Sequence, residues 1–141
     1  MKKIFLLLLF FSQICVAQSI VPKVTSFTLV NAETDLPIRT LTDGSVIDFG
    51  IDGSKLNIRA NTEGGVSSVV YTLTGAEAHS NTDTQKPFSL FGDVNSNYNE
   101  WILTLGDYVL NATPALNGIA GTSLKINFSV KNNPVSLNRM P

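Results

Sequence analysis

The run Leu105-Gly106-Asp107-Tyr108-Val109-Leu110-Asn111-Ala112 constrains this chain more than any other stretch. Tyr108, Leu110 and Ala112 alternate with Asp107, Val109 and Asn111, so the first set shares one face of a strand and the second set the other. A glycine in a turn two residues before the tyrosine is the spacing of a tyrosine corner. In that device the tyrosine begins an inner strand of a β-sandwich and its hydroxyl ties down the preceding loop. Gly106, Tyr108, Leu110 and Ala112 are therefore predicted to carry structure rather than chemistry.

The same period of two recurs along the chain. The predicted inner faces are Phe27 and Leu29; Ile47, Phe49 and Ile51; Leu56, Ile58 and Ala60; Val69, Tyr71 and Leu73; and Leu124, Ile126, Phe128 and Val130. Asn57, Arg59, Asn61, Lys125, Asn127 and Ser129 are predicted to face outward. Further extended segments are read at 37–41, 77–81, 87–91 and from Trp101 into the Tyr108 strand. Asp43-Gly44, Asp52-Gly53, Glu63-Gly64-Gly65 and Gly75 supply the turns between them. No segment beyond the N-terminal region has a helical apolar period. The pattern predicts an all-β, antiparallel β-sandwich of about seven to nine strands, built as one module without internal repeats.

The N-terminal residues stand apart. Lys2 and Lys3 precede the apolar run 4–11, and Cys15-Val16-Ala17 offers small residues before Gln18. This is the layout of a Sec-type signal peptide cleaved after Ala17. A membrane anchor would need about 20 apolar residues, far more than this run supplies. The bulky Ile14 before Cys15 argues against lipidation. The domain boundaries expected are a signal peptide at 1–17, a sandwich domain at 18–130 and a flexible tail at 131–141.

Cleavage would remove Cys15, the single cysteine, so no disulfide or thiolate metal site is available to the mature chain. It would also remove Lys2 and Lys3, taking ten basic residues to eight against eleven acidic ones, a net charge of −3. That balance argues against nucleic acid or an anionic membrane surface as partner. No later run reaches the length of a membrane span, so the expected location is secreted or at the cell surface.

Two kinds of site are offered by the segment 93–101. Asp93, Asn95 and Asn97 place oxygen-bearing side chains at alternate positions, the way a Ca²⁺ loop begins. The sixth position of that loop is Tyr98 rather than glycine, and the twelfth is Thr104 rather than a bidentate glutamate. The competing reading is a solvated loop of Asx turns. Tyr98 and Trp101 could also stack on sugar rings while Asn97 and Asn99 read hydroxyls. Against that, a single Trp in a sandwich is commonly a core anchor, here beside Tyr108. His79 is read as a solvated surface residue. No carboxylate pair, phosphate-binding loop or serine elbow is present, so no catalytic residues are assigned and the chain is not read as an enzyme. No cofactor is expected apart from the Ca²⁺ alternative.

Three stretches together resemble a known family: Val66-Ser67-Ser68-Val69-Val70-Tyr71-Thr72-Leu73-Thr74-Gly75, Pro87-Phe88-Ser89-Leu90-Phe91-Gly92-Asp93, and Gly106 to Ala112. They are similar to bacterial Ig-like (immunoglobulin-like) modules, in which a V-x-F-x-L-x-G strand is followed by A-P-Y/F and then by G-x-Y-x-L-x-A. Residues 24–35 and 56–62 resemble the subtype found beside malectin-like and cadherin-like modules in secreted and cell-surface proteins. The resemblance covers roughly residues 24–130 and implies an immunoglobulin-like sandwich. It further implies a non-catalytic exported module acting in cell-surface adhesion, spacing or interaction with proteins or glycans. The alternative is a carbohydrate-binding module using the aromatics of the 93–101 loop. The family has no established catalytic residues to carry over. Where it has several modules in one chain, this sequence has one, either a stand-alone copy or part of a longer protein.

Overall fold

The computed structural model describes residues 14–15 and 17–134. Most of the predicted signal peptide (1–13 and 16) and the tail from 135 onward lie outside the described residues. In chain order the elements are β1 (Lys23–Asn31), β2 (Leu36–Leu41), β3 (Ser45–Asp48), a single helical turn α1 (Phe49–Asp52), β4 (Leu56–Glu63), β5 (Ser68–Gly75) and β6 (His79–Asp83). There follow β7 (Asp93–Val94), β8 (Asn97–Tyr98), β9 (Gly106–Leu116), β10 (Ile119–Ala120) and β11 (Leu124–Lys131). Among the described residues, no helix is long and apolar enough to cross a membrane.

The chain is an all-β sandwich. One sheet has the order β2-β1-β4 and is antiparallel throughout. The larger sheet has the order β3-β11-β9-β5-β6, with β10 turned back on β9. One pairing within it is parallel: β3 runs alongside β11, with Phe128 opposite Ser45 and Val130 opposite Ile47. β11 therefore lies between β3 and β9.

The core between the sheets is built from the alternating positions. Phe27, Leu29, Leu56, Ile58 and Ala60 meet Val69, Tyr71, Leu73, Tyr108, Leu110, Ala112, Ile126, Phe128 and Val130, all buried. Each large apolar side chain contributes about 1.5–3 kcal/mol when fully removed from water. Leu124 is only partly buried against this cluster.

Four local expectations are corrected. The strand read over 45–51 ends at Asp48, whose carboxylate accepts the N–H of Gly50 and caps α1. Once the chain coils the period of two is lost, so Ile51 is 80 % exposed and Asp52 turns inward. Asp52 accepts Arg39 Nε at 3.2 Å and Nη2 at 2.9 Å, and the N–H of Asp48 at 3.0 Å. Arg39 lies opposite Leu29 in register and also donates to Val46 O, so this pair fastens the rims of the two sheets.

The stretch 87–91 is not a regular strand. It makes a short bridge to the free edge of β4: Ala60 N donates to Phe88 O at 2.9 Å, and Leu90 N to Ile58 O at 2.8 Å. A turn closed by Gly92 N to Ser89 O then takes it away. Trp101 likewise precedes the β9 strand rather than belonging to it, its N–H donating to Leu56 O at 2.8 Å. Together these segments cover an edge that would otherwise offer unpaired backbone groups.

The fourth correction concerns Asn57, which the alternation predicts to face water and which is fully buried. Thr28 and Val30, on the same outer face of the three-stranded sheet, are buried too. The reason is tertiary: the excursion 91–100 folds back over that face.

Candidate functional site

The 91–100 excursion is held by one side chain. Asn57 Nδ2 donates to Gly92 O at 3.1 Å and to Asn99 O at 2.8 Å. Asn57 Oδ1 accepts the N–H groups of Ile58 at 2.7 Å and Phe91 at 3.2 Å. All the hydrogen-bonding capacity of a buried amide is thereby used. Tyr98 N donates to Asp35 Oδ1 at 2.8 Å and fastens the far end of the excursion to the β1–β2 turn.

Within this frame, 93–98 is a two-residue hairpin. Asn95 and Ser96 both have positive φ, 53° and 68°, and Asp93 Oδ2 accepts the N–H of Ser96 at 2.7 Å. Two consecutive left-handed residues are what a hairpin needs to match strand twist. The register pairs Asp93 with Tyr98 and Val94 with Asn97. Paired residues share a face and neighbours do not, so Asp93 and Asn97 point to opposite sides of the ribbon, with Asn95 at its tip. The alternation that suggested a Ca²⁺ loop is thus divided between two faces. Among the described residues no group of three or more His, Cys, Asp or Glu side chains gathers as a metal site.

The aromatic platform is corrected as well. Tyr98 is buried beneath the ribbon and Trp101 is 1 % exposed, so neither ring offers a face to a sugar. Trp101 stacks on Phe91 with centroids 5.0 Å apart and meets Tyr108 and Phe128 edge-on at 5.5 and 6.3 Å. Phe91 in turn stacks on His79 at 4.3 Å. His79 is therefore half-buried, not simply solvated, and its Nε2 lies 3.2 Å from Leu90 O. Asn97 and Asn99 remain exposed, with Asn99 Nδ2 bonded to Phe91 O.

At the turn before β9, Tyr108 Oη donates to Thr104 O at 2.7 Å and ties down the loop between Trp101 and Gly106. Gly106 has φ 139°, and a Cβ there would lie 2.7 Å from that of Ala76. Leu110 and Ala112 are buried in the core. Burial pushes the Tyr108 phenol above its ordinary range, aided by Glu77.

The aspartates serve as fasteners. Asp43 accepts the N–H and Nδ2 of Asn127, which hold its carboxyl below the ordinary range. Asp48 accepts Gly50 N, Asn133 N and Asn133 Nδ2, and is lowered for the same reason. Asp83 accepts the N–H groups of Gln85 and Ser89. With Asp35, Asp52 and Asp93 already described, every aspartate except Asp107 fastens a loop, a turn or the rim.

Of several open grooves among the described residues, the two larger ones bear on function. One of about 400 Å³ lies on the larger sheet beside Gly44, Gly75, Asp107, Val109, Asn127 and Ser129. The other, about 480 Å³, lies between β4, the 86–88 segment and the hairpin tip, and is lined by Arg59, Asn61, Thr62, Lys86, Pro87 and Ser96. Arg59 is more than the ordinary outward charge that the alternation predicts. Among the described residues no carboxylate lies within ion-pair distance of it, its Nε is buried without an acceptor, and Nη1 reaches Tyr98 Oη at 3.4 Å. No local sequence signal marks this groove, because Lys86 comes to Arg59 through the bridge of 87–91 to β4, and Ser96 through the folded-back excursion.

No protein-family model matches the chain, and no curated protein is significantly similar to it. Among solved structures, the extracellular domain of a hybrid two-component system from B. thetaiotaomicron is similar at 17% identity and a TM-score of 0.42. The similarity covers 81% of this chain and 15% of that one, so this chain corresponds to a small part of its length.

Proposed function

We propose that this chain is an exported, non-catalytic immunoglobulin-like module that holds its shape outside the cytoplasm and presents a polar surface to a protein or glycan at the cell surface. The observation that carries the reading is the use of the aspartates. Carboxylates that would have to exchange protons or attack a substrate instead accept backbone N–H groups, asparagine amides and an arginine fork. A catalytic pair needs lone pairs free for substrate and a cavity between them. The tie from Tyr108 to Thr104 supports the immunoglobulin-like assignment. The leader 1–17 supports export.

A carbohydrate-binding function through the 93–101 aromatics loses its ring faces to burial. A glycan reading would have to rest on polar side chains around the excursion.

The test is expression of the full chain in a Gram-negative host, with fractionation and N-terminal mass determination, followed by incubation of the processed protein with a polysaccharide panel. The expected result is export with processing to Gln18 and no release of reducing ends. Retention in the cytoplasm, or turnover of any polysaccharide, overturns the proposal.

A further inference from the structure

We infer that the groove beside Arg59 is a binding site for a carboxylate-bearing sugar, a uronate unit of an acidic polysaccharide. The inference rests on the reading of the chain as a binding module.

Arg59 carries the argument. Arg59 is half-buried and its Nε is closed off from solvent, where a charge is costly unless an acceptor meets it. The three ion pairs among the described residues join Lys23 to Glu63, Arg39 to Asp52 and Lys55 to Glu33, and none involves Arg59. Its one side-chain contact is the Tyr98 hydroxyl at 3.4 Å, and its Nε has no partner. Among the described residues the other buried polar side-chain atom without a partner is the neutral indole Nε1 of Trp101, whereas the buried polar side chains Asn57 and Asp52 are well supplied: Asn57 makes four hydrogen bonds, and Asp52 accepts three. Arg59 is thus the one charged group among the described residues with a buried atom left short of an acceptor; its Nε is closed off, and a ligand in the groove would meet the Nη edge, whose sole hydrogen bond is the long one to Tyr98.

The rest of the lining narrows the ligand class. Lys86 is exposed on the opposite wall and adds a second positive charge. Guanidinium and ammonium together suit a single carboxylate, which the planar fork of arginine meets in its own geometry. The remaining polar groups are neutral and short. Thr62 and Ser96 bring hydroxyls, and Asn61 spends its amide donors on Ser26 Oγ at 2.9 Å and Thr28 Oγ1 at 2.8 Å, leaving its carbonyl oxygen as an acceptor. Pro87 supplies an apolar patch. One anionic group surrounded by hydroxyl-reading groups and a small apolar surface describes an acidic sugar better than an acidic peptide, because a uronate ring carries hydroxyls and a C–H face beside its carboxylate and an aspartate or glutamate side chain does not. At about 480 Å³ the groove falls within the range of small-molecule sites, about 300–1,000 Å³.

The experiment is calorimetric titration of the purified protein with oligogalacturonate and with the neutral galactose oligomer of the same length. Saturable binding of the uronate, weakened by salt, with no binding of the neutral oligomer, is expected. Arg59→Gln should weaken it by about tenfold or more, the loss of one charge-assisted pair. Lys86→Gln, on an exposed loop where folding is not at risk, should weaken it by a smaller factor of about three to five. Lys125→Gln, on the opposite sheet, should leave it unchanged.

Equal binding of the neutral oligomer, an equal loss in Lys125→Gln, or full affinity in both groove variants would overturn the site. Tighter binding of a sulfated galactan or of polyglutamate would overturn the uronate assignment. A protein that is exported and inert but binds no uronate removes the groove and leaves the module reading standing. Cleavage of the oligomer removes the module reading itself.

Discussion

The hydroxyl of Tyr71, on the larger sheet, donates to the carbonyl of Phe88 at 2.7 Å and receives the N–H of Ala60 at 3.0 Å. A single phenol thus joins both sheets through the core. Tyr71→Phe keeps the ring and removes both bonds. Because Phe88 O retains the Ala60 N–H at 2.9 Å, the expected loss is about 1–2 kcal/mol by urea unfolding. Burial also pushes the Tyr71 phenol well above its ordinary value of 10.0. A raised folded pKa means stability that is complete below about pH 10 and lost as the pH climbs beyond it. The wild type should therefore lose stability above pH 10, and Tyr71→Phe should flatten that decline without abolishing it, since Tyr108 is raised as well.

Asn57→Ala would strip the excursion of its fastening. Gly92 O, Asn99 O and Phe91 N all lose a partner. A loss of about 2–4 kcal/mol is expected, and exchange of the Phe91 and Asn99 amide protons should accelerate more than that of β9 amides. Uniform acceleration across the protein would show that the excursion is not separately held.

Trp101→Ala should destabilise by about 3–5 kcal/mol, the cost of removing a fully buried indole from among three aromatic rings. As the single tryptophan, it also reports on itself. Its fluorescence should be blue-shifted in the folded protein and move to longer wavelength on unfolding. An emission maximum typical of water in the native state would contradict its placement.

Acid should unfold this protein through its fasteners. Asp43 and Asp48 are both held below the ordinary value of 3.8 by backbone and asparagine donors. A depressed folded pKa gives stability that is present above pH 3.8 and lost as the pH falls through the lower folded value. Asp48→Asn and Asp43→Asn should each lower stability at neutral pH and make it less sensitive to pH below 4. A variant whose stability falls as steeply as the wild type in that window would remove the assignment.

Calcium should leave the melting temperature where it is. Asp93 and Asn97 face opposite sides of the hairpin, and the Asp93 carboxylate is engaged by Ser96. A bound ligand at 100 times its dissociation constant would add about 2.7 kcal/mol, readily seen by comparing calcium with chelator.

The inner faces of β1, β4, β5, β9 and β11 were legible in the sequence because a period of two needs only neighbours along the chain. What escaped was set by parts far apart. Asn57 and Arg59 have the same local context as any outward strand residue, and only the return of residues 91–100 changes their surroundings. Tyr98 and Trp101 stood out as aromatics, but the alternation could not say which side of the excursion would meet the sheet. The stop at Asp48 was local and readable in principle: an aspartate two residues before a glycine can cap a turn, and that signal competed with an apolar alternation running through Ile51.

The position of β11 has a consequence for how this molecule comes into being. Its eight residues lie between β3 and β9, so the partners on either side were synthesised earlier and have nothing to close against until it arrives. A nascent chain stopped short of Leu124 would expose two bare ladders and a half-covered core. Completion is therefore expected to come late, and a chain truncated before Leu124 should be substrate for proteases rather than a smaller working protein.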